Sequence, residues 1–357
     1  MGERLRTLLV GADSPDSFAA DIAAALRRAE CEVHHYADHY KLFARTTNFA
    51  LQGLSAHMLR FFPSLEDLVN RRLLRRALKL QPNLVLLCYS YAGPATIRAL
   101  RQDTDAIVAN WFPDALSNFD RQYIIGSDYH LLFFKDRYIV RFFREKIGME
   151  NCFYLPQCCD KDLHRPVELS EADRRKYGCD LTTAASLYYY RARLLEPFLD
   201  YDLRIWGAVP RWLDSPLRRK ATGEMVFGLD KARVFRAAKI VLNNQHYAEI
   251  ERVNKRTFEA AGCGAFQITD ENPALSDLFD PGREIVTYSS RKDLKEKVDY
   301  YLAHARERDE IAERACRRAH AEHTYDHRVA VILSHVRLLR KSSGISSTVQ
   351  RASADRV

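Results

Sequence analysis

The fold and the candidate site both depend on residues 243–270, NNQHYAEIERVNKRTFEAAGCGAFQITD. Asn254 is a capping residue type, because its side-chain oxygen can accept a hydrogen bond from a free amide in the first helical turn. Phe258 and Ala261 then recur at a helical spacing. Residues 265–269 form a short, mostly apolar run, which is typical of a buried parallel strand. The stretch therefore predicts a helix that leads directly into a strand.

The start of this predicted helix carries groups that suit a nucleotide. A helix N-terminus offers free N–H groups and partial positive charge, which favour a phosphate. Lys255 and Arg256 can add charge to a diphosphate site, and Glu259 can accept two hydrogen bonds from a ribose diol. Arg256 and Glu259 are also spaced as an exposed helical ion pair. The residues alone therefore leave open both a nucleotide site and a solvated helix face.

Length and composition limit the class of protein. The chain has 357 residues, of which 47% are hydrophobic, and this is enough for two domains with their own cores. The net charge of +8 favours anionic partners such as nucleotide-sugars, phosphorylated glycans or nucleic acid. No apolar run reaches the length of a membrane span, and the N-terminus does not resemble a signal peptide. Eight cysteines without a C-x-x-C pair favour a reducing, cytoplasmic location and no metal site.

The N-terminal part of the chain alternates strands with helices. Residues 5–10 predict a buried strand, Ser14-Pro15 predicts the start of a helix, and residues 32–36 predict the next strand. This order is the beginning of a doubly wound α/β sheet. The first loop lacks a full G-x-G-x-x-G motif, so a dinucleotide site is not indicated.

Several polar residues follow predicted strands directly. In open α/β sheets, ligands bind beyond the carboxyl ends of the strands. Asp13, Tyr89, Ser90 and Asp114 lie at such ends and are site candidates by position.

A basic stripe lies in a predicted helix before residue 80. It comprises Arg71, Arg72, Arg75, Arg76 and Lys79. Such a run is usually a solvated helix face. The alternative is a surface that docks an acidic acceptor or nucleic acid.

Several segments resemble the CgeB-like glycosyltransferases, which belong to the group-1 glycosyltransferases of GT-B fold. Residues 256–270 resemble that family's R-x-F-E-x-x-x-C/A-G segment, and residues 129–166 resemble its strand, helix, Y-L-P and H-x-P block. The LRIWG segment at 203–207 and the HTY-x-x-R segment at 323–328 also match. Glu251 and Glu259 fit the E-x7-E spacing of retaining relatives.

The resemblance implies roles for residues of the second half. The glutamate at position 259 is expected to hold the ribose, the turn after LRIW to lie near the base, and the arginines to stabilise the leaving diphosphate. The residues expected on the donor side are Glu259, Arg256, Arg191, Asn254, Lys255, Thr257, Trp206, Gly207, Asn243, His246, Ala185 and Ser186. Ala185 stands where the family has glycine, which lets backbone approach a ligand closely. Alanine is compatible with the loop if its φ stays negative.

The resemblance also implies the domain plan. We expect an α/β protein of GT-B architecture, with two Rossmann-like doubly wound domains facing across a cleft. Residues 1–165 are predicted to form the acceptor domain and 166–325 the nucleotide-sugar donor domain. Residues 326–341 are predicted to form a helix that returns to the first domain, and 342–357 a disordered tail.

The expected function is transfer of a sugar from a nucleotide-sugar donor by a hexosyltransferase-like enzyme. The acceptor is a glycan, a small molecule, a protein or DNA, and the oligomeric state is open. The reaction is expected to be metal-independent, with no cofactor besides the nucleotide-sugar co-substrate. If it inverts configuration, a base is needed, and Asp13, Asp114 and His39 are the candidates.

Two alternatives remain from the sequence. One is a sugar-nucleotide epimerase of the same two-lobed shape, which would need no acceptor. The other is a non-catalytic nucleotide- or polyanion-binding protein derived from the GT-B fold, which Ala185 and the basic stripe motivate.

Overall fold

The computed structural model describes residues 4–37, 39, 41–42, 49–88, 92–114, 123–247 and 250–342. The chain divides into two compact units. The first comprises the residues up to Lys135, Ile139–Leu155 and the residues from Asp326, and the second comprises Asp136–Tyr138 and Pro156–Tyr325.

Strands and helices alternate along most of the described chain. The strands are β1 Arg6–Val10, β2 Glu32–Tyr36, β3 Leu84–Cys88, β4 Ile107–Phe112, β5 Leu131–Phe134, β6 Cys152–Tyr154, β7 Cys179–Ala184, β8 Leu203–Trp206, β9 Ala238–Asn243, β10 Gln267–Asp270 and β11 Val286–Tyr288. The helices are α1 Phe18–Arg28, α2 Phe49–Phe61, α3 Pro63–Leu80, α4 Pro94–Asp103, α5 Arg137–Ile147, α6 Glu171–Tyr177, α7 Tyr189–Leu195, α8 Gly228–Ala237, α9 Lys255–Gly262, α10 Arg291–Ala303, α11 Ala305–Glu322 and α12 Tyr325–Ser342.

The first unit is built on a parallel sheet with the order β2-β1-β3-β4-β5-β6. Strands β3, β4 and β5 are buried along their whole length, which explains their mostly apolar sequences LVLLC, IVANWF and LLFF. The step from β1 to β3 reverses the direction in which strands are added. The sequence therefore predicted the α/β class correctly.

Helix α1 begins later than predicted. The N-cap is Ser17, whose hydroxyl accepts a hydrogen bond from the Ala20 amide at 3.3 Å and donates one to the Ala12 carbonyl at 2.9 Å. Asp16 has a left-handed φ of 61°. The prediction that Ser14-Pro15 opens the helix was therefore wrong, because the backbone leaves the helical region at the residue just before the cap.

The second unit holds its own parallel sheet, with the order β11-β10-β9-β7-β8. Apolar side chains from both faces of the sheet pack into separate clusters, one around Leu181, Ile240 and Ile268 and another around Phe235 and Val241. Strand β8 lies on one side of β7, and β9 lies on the other side. The sheet therefore has its topological switch point between β7 and β9.

The segment after β6 pairs with the C-terminal end of the second unit. The Cys159 amide donates to the His323 carbonyl at 2.9 Å, and the Tyr325 amide donates to the Cys159 carbonyl at 3.0 Å. The division between the units falls after Leu155, whereas the predicted boundary follows residue 165. Pairing with distant backbone, rather than local composition, decides where this linker belongs.

Helix α12 packs on the first unit. The Arg28 guanidinium lies 2.7 Å from the Asp326 carboxylate, and the His335 ring lies 4.5 Å from the ring of Phe153. Ser342 ends the helix, and the rest of the predicted tail, 343–357, lies outside the described residues.

All eight cysteines are free thiols, and burial raises the pKa of Cys159 to about 12. No helix within the described ranges combines the length and the apolar character needed to cross a membrane.

Candidate functional site

The candidate site of the second unit lies at the carboxyl ends of β7 and β9. These strands are neighbours on either side of the switch point, and ligands of open α/β sheets bind just beyond this position. Helix α9 begins close by, since its N-cap residue is bonded to the end of β9. Residues 243–270 therefore supply both the end of a central strand, β9, and the start of helix α9.

The start of α9 is fixed by a network of side-chain amides. The Asn254 side chain accepts from the Thr257 amide at 3.1 Å, as the capping pattern predicted. Its Nδ2 donates to Asn243 Oδ1 at 3.1 Å and to the Asn244 carbonyl at 3.2 Å. Gln245 Oε1 accepts from the Asn254 amide at 2.9 Å. The helix start is thus anchored on three consecutive residues, namely the last residue of β9 and the two that follow it.

Asn243 is buried at the centre of this network. Its Nδ2 donates to Thr257 Oγ1 at 2.8 Å and to Gln267 Oε1 at 3.2 Å. Gln267 Nε2 in turn donates to the Thr257 carbonyl at 2.8 Å. We predicted Asn243 and Thr257 as donor-binding residues. In the structure their side chains bond to each other and to Gln267 of β10, which connects β9, β10 and α9. Their role in binding a donor stays a prediction.

Two arginines bridge the ends of the central strands. Arg256 Nε donates to the Ala184 carbonyl at 3.1 Å, and its Nη1 donates to Asn243 Oδ1 at 3.0 Å. Arg191 Nε donates to Asn244 Oδ1 at 2.7 Å, and its Nη1 donates to the Ser186 carbonyl. Arg256 therefore connects the last residues of β7 and β9, and Arg191 connects the loops that follow these two strands. Arg256 is partly exposed at the helix start, whereas Arg191 is buried.

The loop after β7 packs closely on the turn after β8. A Cβ atom added to Gly207 would lie 2.5 Å from the carbonyl carbon and oxygen of Ala185 and 2.7 Å from the amide nitrogen of Ser186. Glycine is needed at position 207 because backbone approaches backbone there. Ala185 is not among the residues with positive φ, so its methyl group is compatible with the loop. Ser186 is exposed.

Trp206 lies at the end of β8 but points into the core. Its ring packs 5.5 Å from the ring of Tyr177 and belongs to the cluster around Phe235. Its Nε1 has no hydrogen-bond partner within the described part of the chain. Trp206 therefore supports the turn at Gly207 rather than facing the loop after β7.

Glu259 lies one turn into α9 within a buried charged cluster. The residue is 4% exposed, and its Oε1 lies 3.1 Å from Lys231 Nζ and 3.2 Å from Lys255 Nζ. His164 Nε2 is 3.5 Å from the same oxygen. Arg256, which the sequence placed as a possible ion-pair partner, is bonded to the strand ends instead. The carboxylate thus supplies counter-charge to two lysines.

The cluster unites segments that are distant in sequence. His164 comes from the H-x-P segment, and the phenyl ring of Phe258 lies 5.5 Å from the ring of His323 in the HTY segment. A Cβ atom on Gly262 would lie 2.8 Å from the His164 carbonyl oxygen. The R-x-F-E, H-x-P and HTY segments therefore pack together around α9.

His246 lies beside the site in an aromatic group. Its ring is 5.6 Å from that of Tyr188 and 4.1 Å from that of Tyr247. The Arg191 guanidinium lies 4.5 Å from the centroid of Tyr188. The neighbouring Tyr190 has a raised pKa, because of burial first and then the charge of Asp270. Aromatic rings therefore border the loops after β7 and β9.

The base candidates lie in the first unit. Asp13 follows β1 and is exposed, His39 follows β2 and is buried, and Asp114 follows β4 and is partly exposed. Asp13 and Asp114 lie at the carboxyl edge of one sheet, as their positions predicted, and His39 follows another strand of that sheet at the same edge. Tyr89 and Ser90 lie outside the described residues.

Sequence reasoning missed three residues of the second unit. Lys231 reaches Glu259 from α8, and Gln245 Nε2 donates to Thr269 Oγ1 at 3.1 Å. Asp270 Oδ1 accepts from the Gln245 amide at 2.8 Å. Asp270 was detectable as the last residue of a strand, whereas no motif marks Lys231.

Comparison with solved structures identifies the fold. Sucrose-phosphate synthase from Thermosynechococcus elongatus has a TM-score of 0.67 at 11% identity, over 95% of this chain and 100% of that one. Anabaena Alr3699/HepE in complex with UDP and glucose has a TM-score of 0.65 at 12% identity, over 93% and 100%. The fold is therefore that of the GT-B glycosyltransferases, as predicted.

Sequence comparison then narrows the relationship. Residues 191–334 match the family described as glycosyl transferase-like. The spore protein CgeB of Bacillus subtilis (strain 168) is 26% identical over 186 residues, which cover 47% of this chain and 56% of that protein. The chain is thus similar in sequence to the CgeB-like glycosyltransferases over part of its length, and the predicted resemblance is confirmed. The match spans little more than half the length of this curated relative.

Proposed function

We propose that the protein is a glycosyltransferase that binds a nucleotide-sugar donor at the start of α9. The observation that carries the proposal is the position of Arg256, which joins the ends of β7 and β9 at the switch point of the sheet. Lys255 is the first residue of the same helix, and both side chains are partly exposed. A helix N-terminus with two cations suits a diphosphate.

The proposed reaction breaks the bond between the donor sugar C1 and the diphosphate oxygen. The nucleoside diphosphate leaves with the electron pair, and an acceptor hydroxyl oxygen forms the new bond to C1. If configuration inverts, Asp13, Asp114 or His39 takes the hydroxyl proton. The charge that builds on the leaving group is stabilised by Arg256, Lys255 and the helix start. These cations supply what a metal would otherwise provide, so we propose a metal-independent reaction.

UDP-sugars are the first donors to test, since the structure of HepE with UDP-glucose has the same fold. The experiment measures the thermal unfolding midpoint with UDP, UDP-glucose and the corresponding GDP, dTDP and CMP compounds. Binding to the folded state raises the midpoint by a few degrees, on the order of 2–4 °C per kcal/mol for a domain of about 150–250 residues. Arg256→Met is expected to abolish the shift, because it removes a partly exposed cation. Arg306→Met, at an exposed position of α11, is the matched control and should keep it.

Release of nucleoside diphosphate from the bound donor tests the reaction itself. We expect release that persists in EDTA and depends on Arg256. A midpoint shift without turnover against any acceptor would favour the non-catalytic alternative. Conversion of the donor without an acceptor, and without release of the nucleotide, would indicate the epimerase. Absence of any shift with all four nucleotides would contradict the proposal.

A further inference from the structure

The helical hairpin α2–α3 exposes several large apolar side chains. It is inserted between β2 and β3 of the first unit. Leu54, Phe61 and Phe62 are 50%, 66% and 55% exposed, and Leu51 is also exposed. Leu51, Leu54 and Phe61 recur at spacings of three and seven, so they share one face of α2. The apolar face ends at the junction of the two helices, where Phe61 and Phe62 are adjacent.

The outward face of α3 is basic. Arg71, Arg75 and Lys79 follow one another at intervals of four and are all exposed, so they form a single stripe along the helix. Leu68 and Leu78 are exposed on the same side. Residues 49–80 contain six lysines and arginines and two carboxylates, which gives a local charge of +4. One of these carboxylates, Glu66, is buried.

We propose that this hairpin docks the protein on the surface of an anionic lipid bilayer. Exposed leucine and phenylalanine side chains can enter the boundary between headgroups and acyl chains, while arginine and lysine remain at the level of the lipid phosphates. A soluble polyanion would use only the basic stripe and would leave Phe61 and Phe62 in water. The combination of both surfaces in one hairpin therefore favours a bilayer over nucleic acid or an acidic protein. This inference does not depend on the proposed transferase activity.

Sedimentation of the full chain with lipid vesicles tests the proposal. We expect binding to phosphatidylcholine vesicles that contain about 30% phosphatidylglycerol, and much weaker binding to phosphatidylcholine alone. Each basic side chain near an anionic surface strengthens binding about fivefold, so R71E/R75E/K79E should weaken it by roughly 100-fold or more. F61S/F62S should weaken it as well, because it removes the largest exposed apolar groups.

Matched controls distinguish effects that are specific to the hairpin from effects of the same charge or apolar changes elsewhere on the surface. R175E/K292E/R306E makes the same change of charge at exposed positions of the second unit. Leu338→Ser alters an apolar side chain of α12 that is 66% exposed, as Phe61 is. Both controls should keep vesicle binding. The substituted side chains are exposed, and circular dichroism of each variant checks that it is folded.

The possible outcomes either support docking on a bilayer or contradict it. Loss of vesicle binding in both hairpin variants, with both controls unchanged, supports the proposal. Vesicle binding that is absent, or that the hairpin variants leave intact, overturns it. Binding to DNA or heparin that needs the arginines but not the phenylalanines, without vesicle binding, would assign the stripe to a soluble polyanion. Self-association that F61S/F62S abolishes, again without vesicle binding, would assign the surface to a second copy of the chain.

Discussion

At the scale of single residues, Glu259 combines a predicted role with an observed one. The family resemblance assigns it to the ribose of the donor, and that assignment stays a prediction. The structure places one of its carboxylate oxygens within 3.2 Å of both Lys231 and Lys255. A buried carboxylate between two ammonium groups is needed for charge balance, whatever else it binds. Substitution of this glutamate therefore tests stability as well as ligand binding.

Glu259→Ala is expected to lower the free energy of unfolding by about 3–5 kcal/mol, because it removes a buried carboxylate that lies beside two largely buried lysines. Urea denaturation measures the change. E259A/K231M should recover part of the loss, since it also removes one of the two lysine charges. A loss below about 1 kcal/mol for Glu259→Ala would mean that the lysines find other partners or remain hydrated.

His130 predicts a pH dependence of the first unit. Its Nδ1 accepts a hydrogen bond from the Val108 amide at 3.0 Å, and burial, with a smaller effect of Arg101, lowers its pKa to about 4. The unfolded chain takes up a proton near pH 6.5, whereas the folded chain does so near pH 4. Stability should therefore fall as the pH decreases from 6.5 to 4, by about 1–2 kcal/mol after allowance for solvent screening.

Asn at position 130 can still accept from Val108 but does not titrate. His130→Asn should therefore flatten this part of the stability profile relative to the unsubstituted protein. Urea unfolding at several pH values between 4 and 7 gives the comparison. Identical slopes for the two proteins would contradict the assignment.

At the scale of elements, α9 owes its position to more than its cap. Asn254 forms the capping bond that its sequence position predicts. Its side-chain nitrogen, Nδ2, also donates a hydrogen bond to Asn243 at the end of β9. This second set of bonds joins two elements that are separated by a loop. The helix start is therefore held in the orientation that the proposed donor site requires.

Asn254→Ala is expected to cost about 2 kcal/mol of unfolding free energy, at the upper end of the range for capping residues. Ser170→Ala is the matched control, because Ser170 caps α6 on an exposed part of the same unit and should cost about 1 kcal/mol. Asn254→Ser keeps an oxygen that can cap the helix but removes the side-chain Nδ2 donor. Its loss of unfolding free energy should therefore lie between those of Asn254→Ala and Ser170→Ala. Equal losses for Asn254→Ala and Ser170→Ala would mean that the bonds to β9 add nothing.

At the scale of the whole molecule, helix α12 belongs to the first unit, although it follows the second unit in sequence. Helix α12 buries Val329, Ile332, Leu333 and Val336 in that unit. Burial of one such side chain stabilises a fold by about 1.5–3 kcal/mol, so the four together rival the total stability of a domain, which is about 5–15 kcal/mol. The first unit is therefore one folding unit made from both ends of the sequence.

Removal of residues 326–357 should unfold the first unit. We expect far-UV circular dichroism to lose more helical signal than α12 alone contributes, while UDP still shifts the unfolding transition if the second unit binds it. Leu338→Ala is the control within α12, since that side chain is exposed and should change stability by no more than about 0.5 kcal/mol. A truncated protein with an intact first transition would contradict this prediction.

The sequence by itself determined the features that depend on neighbouring residues. The buried strands β3 and β4 follow from mostly apolar runs, and the cap at Asn254 follows from one residue type before a periodic segment. The family motifs predicted the GT-B fold, since they occur in the right order along the chain. The start of α1 shows the limit of this reasoning, because the left-handed Asp16 moves the cap from Ser14 to Ser17.

Only the tertiary structure decided which distant groups meet. It pairs Lys231 with Glu259 and buries Asn243 in an amide network. A backbone hydrogen bond from Cys159 to His323 also places the linker in the second unit. No local pattern encodes these contacts. The order β11-β10-β9-β7-β8 brings particular strand ends together, and that order results from packing the whole sheet against its helices. Local periodicity thus selected the elements, and burial of the complete core selected the neighbours of each site residue.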